Sequence, residues 1–493
     1  MVAANRFANS NPLFSQRSDE IIRRILERDC IDLDQLVRAI TNLASDAASA
    51  AELQLTLKIL ERIPQNNRLA NFTPIAEAMA TNNQIEIFFI NDNGPYAGAG
   101  IALRRQAEAF AQQGHQCTII ALNHHSPEVS EIVQNFEKKW AKKNLTIKCI
   151  IPEGDFPTDR LGREDFSSLI TEVVNQAKHP ALVVIGNLHS MPISVRFIYS
   201  LVSHYIPVVI YAHDLDLISG GCAYPQYYSC DQFLKGCRDL TCLKPAENYP
   251  MSSSGKIEQQ YIERSVISRL PGIQFYANSH WTASKFKRRF ENNCEVVKLG
   301  LDTDTFSPNL QTRAEIREYL GIKEECLLVA VGADSLSRLG KGGDIVVETI
   351  KNCRIYDDIS FLSFGHNNLD IHNVKNLGFT ADEEQLAAVF QTADLFLNTA
   401  TIEAFGQTAI EAAACGCPTI CIAGSGLEDA VQHGISGIVL PNKDYIISTL
   451  EKFRSDRQAL KSLSLLSSQW AQHEVSLERV YFNWLKTILS SID

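Results

Sequence analysis

Long hydrophobic runs are missing from this chain of 493 residues. The longest, such as ALVVIG at 181–186, are of strand length, far short of the roughly 20 residues that cross a bilayer. The opening stretch, MVAANRFANSNPLFSQRSDE, has no apolar segment after its charges. No export signal is read there, and a cytoplasmic location is expected. Dense basic runs are missing as well: 46 Lys+Arg stand against 57 Asp+Glu, for a formal net charge of −11. That balance argues against non-specific nucleic-acid binding. A polyanionic ligand would have to be held by a few local cations and backbone amides. Cysteine is plentiful at 13, but the thiols are scattered through a large chain, so a secreted disulfide scaffold is not expected.

The length exceeds one ordinary core and favours two domains plus an extension. Residues 18–80 show apolar positions at helical spacing, and no strand pattern appears before residue 84. The expectation is a helical extension over 1–80, either a packing appendage or a module that binds a protein partner or docks on a membrane. A β–glycine loop–α–β unit then opens with IEIFFIN at 85–91, NGPYAGAG, a helix from Ile101 to about Gln113, and QCTIIAL. Further buried strands are expected at 145–151, 181–187, 207–214 and 273–279. A second series begins at CLLVAVGAD near 326 and continues at 359–365, 374–379, 393–400, 418–423 and 437–441. This pattern predicts an α/β protein of two doubly wound parallel sheets joined near residue 300, with a ligand in the cleft at their strand ends.

The segment ATIEAFGQTAIEAAACGCP at 400–418 places Glu403 on a loop after a strand and Glu411 about one turn inside a helix. Taken alone, the pair reads as a helix cap and an exposed helical residue. The helix, however, is built of small residues suited to lying flat on a sheet, so a charge within it needs a partner. The amides of Phe405, Gly406, Gln407 and Thr408 at its start form an anion site. A diphosphate held there would have a carboxylate on each side. Glu411 could accept the hydroxyls of a ribose and Glu403 those of a second sugar.

ATIEAFGQTAIEAAACGCPTI resembles the double-glutamate motif of group 1, family 4 retaining glycosyltransferases, which have the GT-B fold. LGFTADEEQLAAVFQTADLFLNTA and GSGLEDAVQHGISGIVLP resemble its flanks, and the similarity runs from about residue 85 to the end. The resemblance implies two Rossmann-like domains facing a cleft, over 81–300 on the acceptor side and 301–475 on the nucleotide-sugar side. A closing helix over 476–493 would return to the first domain. It implies Glu403 on the donor sugar, Glu411 on the ribose, and side-chain cations in place of a catalytic metal for the leaving diphosphate. VGADSLSRLGKGGDIVVETIK supplies Lys341; the family's arginine position is Ala333 here, leaving Arg338 as the nearest candidate. The expected donor is UDP- or GDP-linked, and the expected acceptor a saccharide or lipid-linked saccharide.

In the first half, the Gly98-Ala99-Gly100 loop lacks the third glycine and the downstream acid of a dinucleotide fingerprint, which counts against NAD. The resemblance turns this loop toward the donor phosphates or the acceptor. It also gives His213, at the end of a strand, a supporting role beside the transferred sugar, with His189 a weaker candidate of the same kind. An insert at 220–250 carries Cys222, Cys230, Cys237 and Cys242 and resembles a loop of colanic-acid-type exopolysaccharide enzymes. Four thiolates could close a structural zinc site, but the insert has no C-x-x-C, and packed free thiols are the alternative. Leu299 replaces the family's linker asparagine. Two rival readings stay open: a nucleotide-sugar epimerase on the same fold, and a degenerate, non-catalytic binding protein or scaffold with the helical extension doing the work. A cytoplasmic position, peripheral to the inner face of a membrane, is the expected setting.

Overall fold

The computed structural model describes residues 72–490 apart from 93, 97, 122–126, 151–173, 175, 188–197, 199–200, 203–205, 239–241, 243–256, 271, 291–293 and 381. The helical runs expected between 18 and 71, His189, and residues 239–241 and 243–250 of the 220–250 insert therefore lie outside the described residues.

Apolar runs with few polar interruptions become strands covered on both faces, as parallel sheets require. The first sheet holds β1 (Glu86–Asn91), β2 (Gln116–Ala121), β3 (Ile147–Ile150), β4 (Ala181–Ile185), β5 (Val208–Ala212), β6 (Ile273–Ala277) and β7 (Glu295–Val296). The second holds β8 (Leu327–Gly332), β9 (Ile359–Phe364), β10 (Val374–Gly378), β11 (Leu395–Asn398), β12 (Thr419–Ile422) and β13 (Gly437–Leu440). Strand orders are β3-β2-β1-β4-β5-β6-β7 and β10-β9-β8-β11-β12-β13, and every pairing is parallel. Chain order reverses between β1 and β4 in one sheet and between β8 and β11 in the other. Those two switch points are where ligands enter open α/β sheets. The strands match their sequence expectations; β7, only two residues long, carries no pattern that a sequence could show.

Two elements differ from expectation. The helix after β1 spans Gly98–Gln112, so Gly98, Ala99 and Gly100 form its first turn and not a loop before it. A side chain at Gly98 would meet open space, so the protein itself does not demand glycine there. Helix Thr73–Ala80 buries Ile75, Ala76, Ala78 and Met79 in the same apolar cluster as β1 and β2, so the first core begins before residue 81.

The closing helix, Leu477–Ser490, lies across the first domain against helices Gly98–Gln112 and Thr73–Ala80. Its Tyr481 and Trp484 are buried while Phe482 is half exposed. Trp484 sits within 5.6 Å, centroid to centroid, of Phe110, Tyr211 and Tyr276. Its indole N–H donates to Gln106 Oε1. Burial on this scale is worth about 1.5–3 kcal/mol per large side chain, which ties the end of the chain to the first sheet.

Candidate active site

The two switch points face one another across a cavity of about 600 Å³. From the first domain come the helix start at Gly98 and Ala99 and the residues just past the ends of β4, β5 and β6: Asn187, His213 and Asn278. From the second come the loop after β8, with Arg338 and Lys341, and the loop after β11, from Ile402 to Gln407. Nine of the expected site residues line this space: Gly98, Ala99, His213, Arg338, Lys341, Glu403, Phe405, Gly406 and Gln407. Gly100, Thr408 and Glu411 do not.

The floor of the cavity is an ion pair, Lys341 Nζ to Glu403 Oε2 at 2.5 Å. Local backbone holds it in place. Gly342 has φ +69, and a Cβ there would lie 2.1 Å from the carbonyl oxygen of Thr399, so the β8 and β11 loops approach as closely as glycine permits. Gly406, φ +99, is the N-cap of helix Gln407–Ala414, and no side chain caps that helix. Glu403 is therefore not a cap, and the first-turn amides face the cavity with the positive end of the helix dipole. Arg338 is paired with Asp334 at 2.8 Å and its side chain is 67% exposed, a looser cation than Lys341.

On the opposite wall, His213 Nε2 and Asn278 Oδ1 are buried polar atoms without a hydrogen-bond partner among the described residues. Such atoms cost roughly 1–3 kcal/mol each and are uncommon in stable cores. Burial lowers His213 to about 3, so its ring is neutral at physiological pH. It can donate or accept one hydrogen bond there, but it cannot serve as an effective general base.

Glu411 departs from expectation. It is 4% exposed, and its Oε1 accepts from Arg105 Nη2 at 2.6 Å. Arg105, 1% exposed, comes from the first domain and also donates to Glu383 Oε1 at 2.8 Å. Arg104 joins Glu383 at 2.5 Å and Glu108 at 2.6 Å. Burial pushes the Glu411 carboxyl up, and Arg105 beside it only partly offsets that. For Glu383, burial is outweighed by Arg104 and Arg105, which hold it well below the usual carboxylate range. Sequence reasoning missed Arg105, although two adjacent arginines inside the otherwise buried run IALRRQAEAF were a visible signal of buried charge needing partners. Asn187 and Asn278 were missed too. Each is a polar residue just past the end of a buried strand, the position that drew attention to His213.

The tetrathiolate zinc expectation is corrected. Among the described residues, no group of three or more His, Cys, Asp or Glu side chains could hold a metal. Burial pushes Cys237 up to about 11, with Cys230 and Cys242 adding to the shift, while Cys242 itself is exposed.

Comparison with known proteins bears on the same half of the molecule. Residues 323–464 match the family described as Glycosyl transferases group 1. A D-inositol 3-phosphate glycosyltransferase of Mycobacterium sp. (strain KMS) is 31% identical over 30% of this chain and 36% of its own length. A GDP-mannose-dependent phosphatidylinositol monomannoside mannosyltransferase of Mycolicibacterium smegmatis is 26% identical over 39% of this chain and 56% of its own. The chain thus spans only 36% and 56% of the length of these relatives. Among solved structures, Anabaena HepE in complex with UDP and glucose superposes with a TM-score of 0.58 at 16% identity, covering 82% of this chain and 99% of that one. Sucrose-phosphate synthase from Thermosynechococcus elongatus does so equally, at 0.58 and 16%, covering 83% and 100%. Residues 323–464 thus resemble the group 1 glycosyl transferases in sequence, and the two parallel-sheet halves share the GT-B fold of the solved neighbours.

Proposed function

We propose that this protein is a glycosyltransferase that moves a sugar from a nucleotide-sugar donor to an acceptor hydroxyl with retention at the anomeric carbon. The observation that carries this reading is the meeting of complementary groups in one cavity. The Lys341–Glu403 pair and an uncapped helix start lie on one wall, and the unpartnered His213 Nε2 and Asn278 Oδ1 on the other. The first wall suits a diphosphate, the second the hydroxyls of a sugar.

In this reading the anomeric C–O bond to the β-phosphate breaks, and Lys341, Arg338 and the amides of Phe405–Thr408 stabilise the charge that builds on the departing diphosphate. Glu403 and neutral His213 hold the sugar hydroxyls. The acceptor oxygen bonds to the anomeric carbon from the face the diphosphate leaves, and its proton passes to a phosphate oxygen. Glu411 receives the ribose. The solved neighbour bound to UDP and glucose makes UDP-glucose the first donor to try. The names of two relatives, a monoglucosyldiacylglycerol synthase of Acholeplasma laidlawii and the mannosyltransferase above, put lipid-linked acceptors first in line. Among the described residues no helix is long and apolar enough to cross a membrane.

The test is release of nucleoside diphosphate from a panel of UDP- and GDP-sugars, with and without glycolipid acceptors. Release that depends on acceptor supports the proposal. Interconversion of the donor sugar alone would point to an epimerase, and no turnover with any donor to a scaffold.

A further inference from the structure

The cavity lining stops at Gln407, one helical turn short of Glu411. Between them stand two bridges from the first domain. Gln407 Nε2 donates to the carbonyl of Gly98 at 2.8 Å, and Arg105 Nη1 donates to Gln407 Oε1 at 3.3 Å. Behind those bridges Arg105 holds the Glu411 carboxylate at 2.6 Å. At 4% exposure there is no room beside that carboxylate for a ribose ring.

We propose that Arg105 competes with the donor's ribose for Glu411, so that donor entry is coupled to release of an interdomain clamp. The inference rests on the transferase reading above, since it takes the ribose to be the group that Glu411 receives.

The chemistry of the exchange is balanced. An ionised carboxylate only accepts hydrogen bonds, and the O–H groups of a ribose diol would take the place of the one bond from Arg105 Nη2. Arg105 keeps a partner when it withdraws: its Nε and Nη2 both reach Glu383 Oε1, at 3.2 and 2.8 Å. The Phe306 ring also lies 5.4 Å from its guanidinium carbon. Glu383 is charged in either arrangement, because Arg104 binds it independently at 2.5 Å. The charged groups around Glu411 are Arg105, Arg104 and Glu383, with the Cys415 thiol one turn further along its own helix. Of these, Arg105 is the group whose removal frees the carboxylate. By linkage, whatever Arg105 gains at Glu411 the ribose must forgo.

The test uses the full chain and calorimetric dissociation constants for UDP, GDP and their 2′,3′-dideoxy analogues, at mildly alkaline pH so that Glu411 stays ionised. The variants are Arg105→Gln and Arg105→Lys, with melting curves to confirm folding. Arg105→Gln is expected to bind the ribonucleotide on the order of tenfold more tightly than wild type, a coupling of ordinary size. Affinity for the dideoxy analogue should stay unchanged. Arg105→Lys keeps the buried positive charge but cannot span Glu383, Glu411 and Gln407 together, so it should fall between wild type and the glutamine variant. If Arg105→Gln does not fold, the lysine variant decides by the same criterion. Equal or weaker ribonucleotide binding in the folded variant overturns the proposal while leaving the transferase reading intact. Failure of wild type to bind either nucleotide overturns both.

Discussion

At the scale of single residues, the site depends on where each charge finds its partner. Lys341 and Glu403 neutralise one another at 2.5 Å, yet both still line the cavity, so each can turn to a ligand without leaving a buried charge alone. Lys341→Ala should lower kcat by on the order of a hundredfold, the cost of removing one preorganised electrostatic group, with melting temperature little changed. Glu403→Gln keeps the shape but weakens acceptance of sugar hydroxyls; steady-state kinetics should show kcat falling more than KM rises. Glu403 and Lys341 were legible as charges that share the cavity, and Glu411 as a charge that needs a partner, because their motifs put charges where a cap or a small-residue helix explains nothing. Arg105 was not legible as the partner of Glu411. The arginine lies 306 positions from Glu411, and no local pattern links two side chains at that separation.

At the scale of elements, the strand-to-helix turns do the positioning. Gly406, φ +99, begins the helix that carries Glu411, and a Cβ there would approach Leu427 Cδ2 to 2.4 Å. The leucine end can shift, but the left-handed backbone strains any larger residue by roughly 1–2 kcal/mol. Gly406→Ala should therefore lower thermal stability modestly while raising the KM for donor several-fold, because the helix amides rotate away from the phosphates. A differential melt with a donor titration checks both. Strand positions were legible because buried parallel strands are nearly continuous apolar runs. The start of the Gly98 helix was not: Gly-Ala-Gly reads as a loop, yet these residues form the first helical turn despite the weak helix propensity of glycine.

At the scale of the whole molecule, the closing helix and the interdomain contacts join the two sheets. His115 shows how the closure responds to pH. Its Nδ1 accepts from the amide of Ile85 at 3.4 Å, and its Nε2 pairs with Tyr481 of the closing helix at 2.9 Å. Burial lowers its pKa from 6.5 to about 4. The unfolded chain therefore takes up this proton first. The stability contributed is complete above about 6.5 and is lost as pH falls toward 4. Buried His213, lowered to about 3, adds to the loss in the same direction. Melting temperature should drop on acidification through this window. His115→Gln should recover part of the drop, and an unchanged pH slope would remove His115 from the account.

Sequence alone determined two parallel α/β sheets, the strands within them, and the segments from which most of the cavity-lining groups come. Those properties follow from patterns only a few residues long: apolar runs, glycine turns, and charges beside a helix of small residues. Tertiary structure decided which of these groups share a cavity, that His213 Nε2 and Asn278 Oδ1 have no hydrogen-bond partner among the described residues across from Lys341 and Glu403, and that Arg105 holds Glu411. Each of those depends on bringing the two domains face to face, and contact between residues hundreds of positions apart is a property of the packed molecule that local spacing cannot encode.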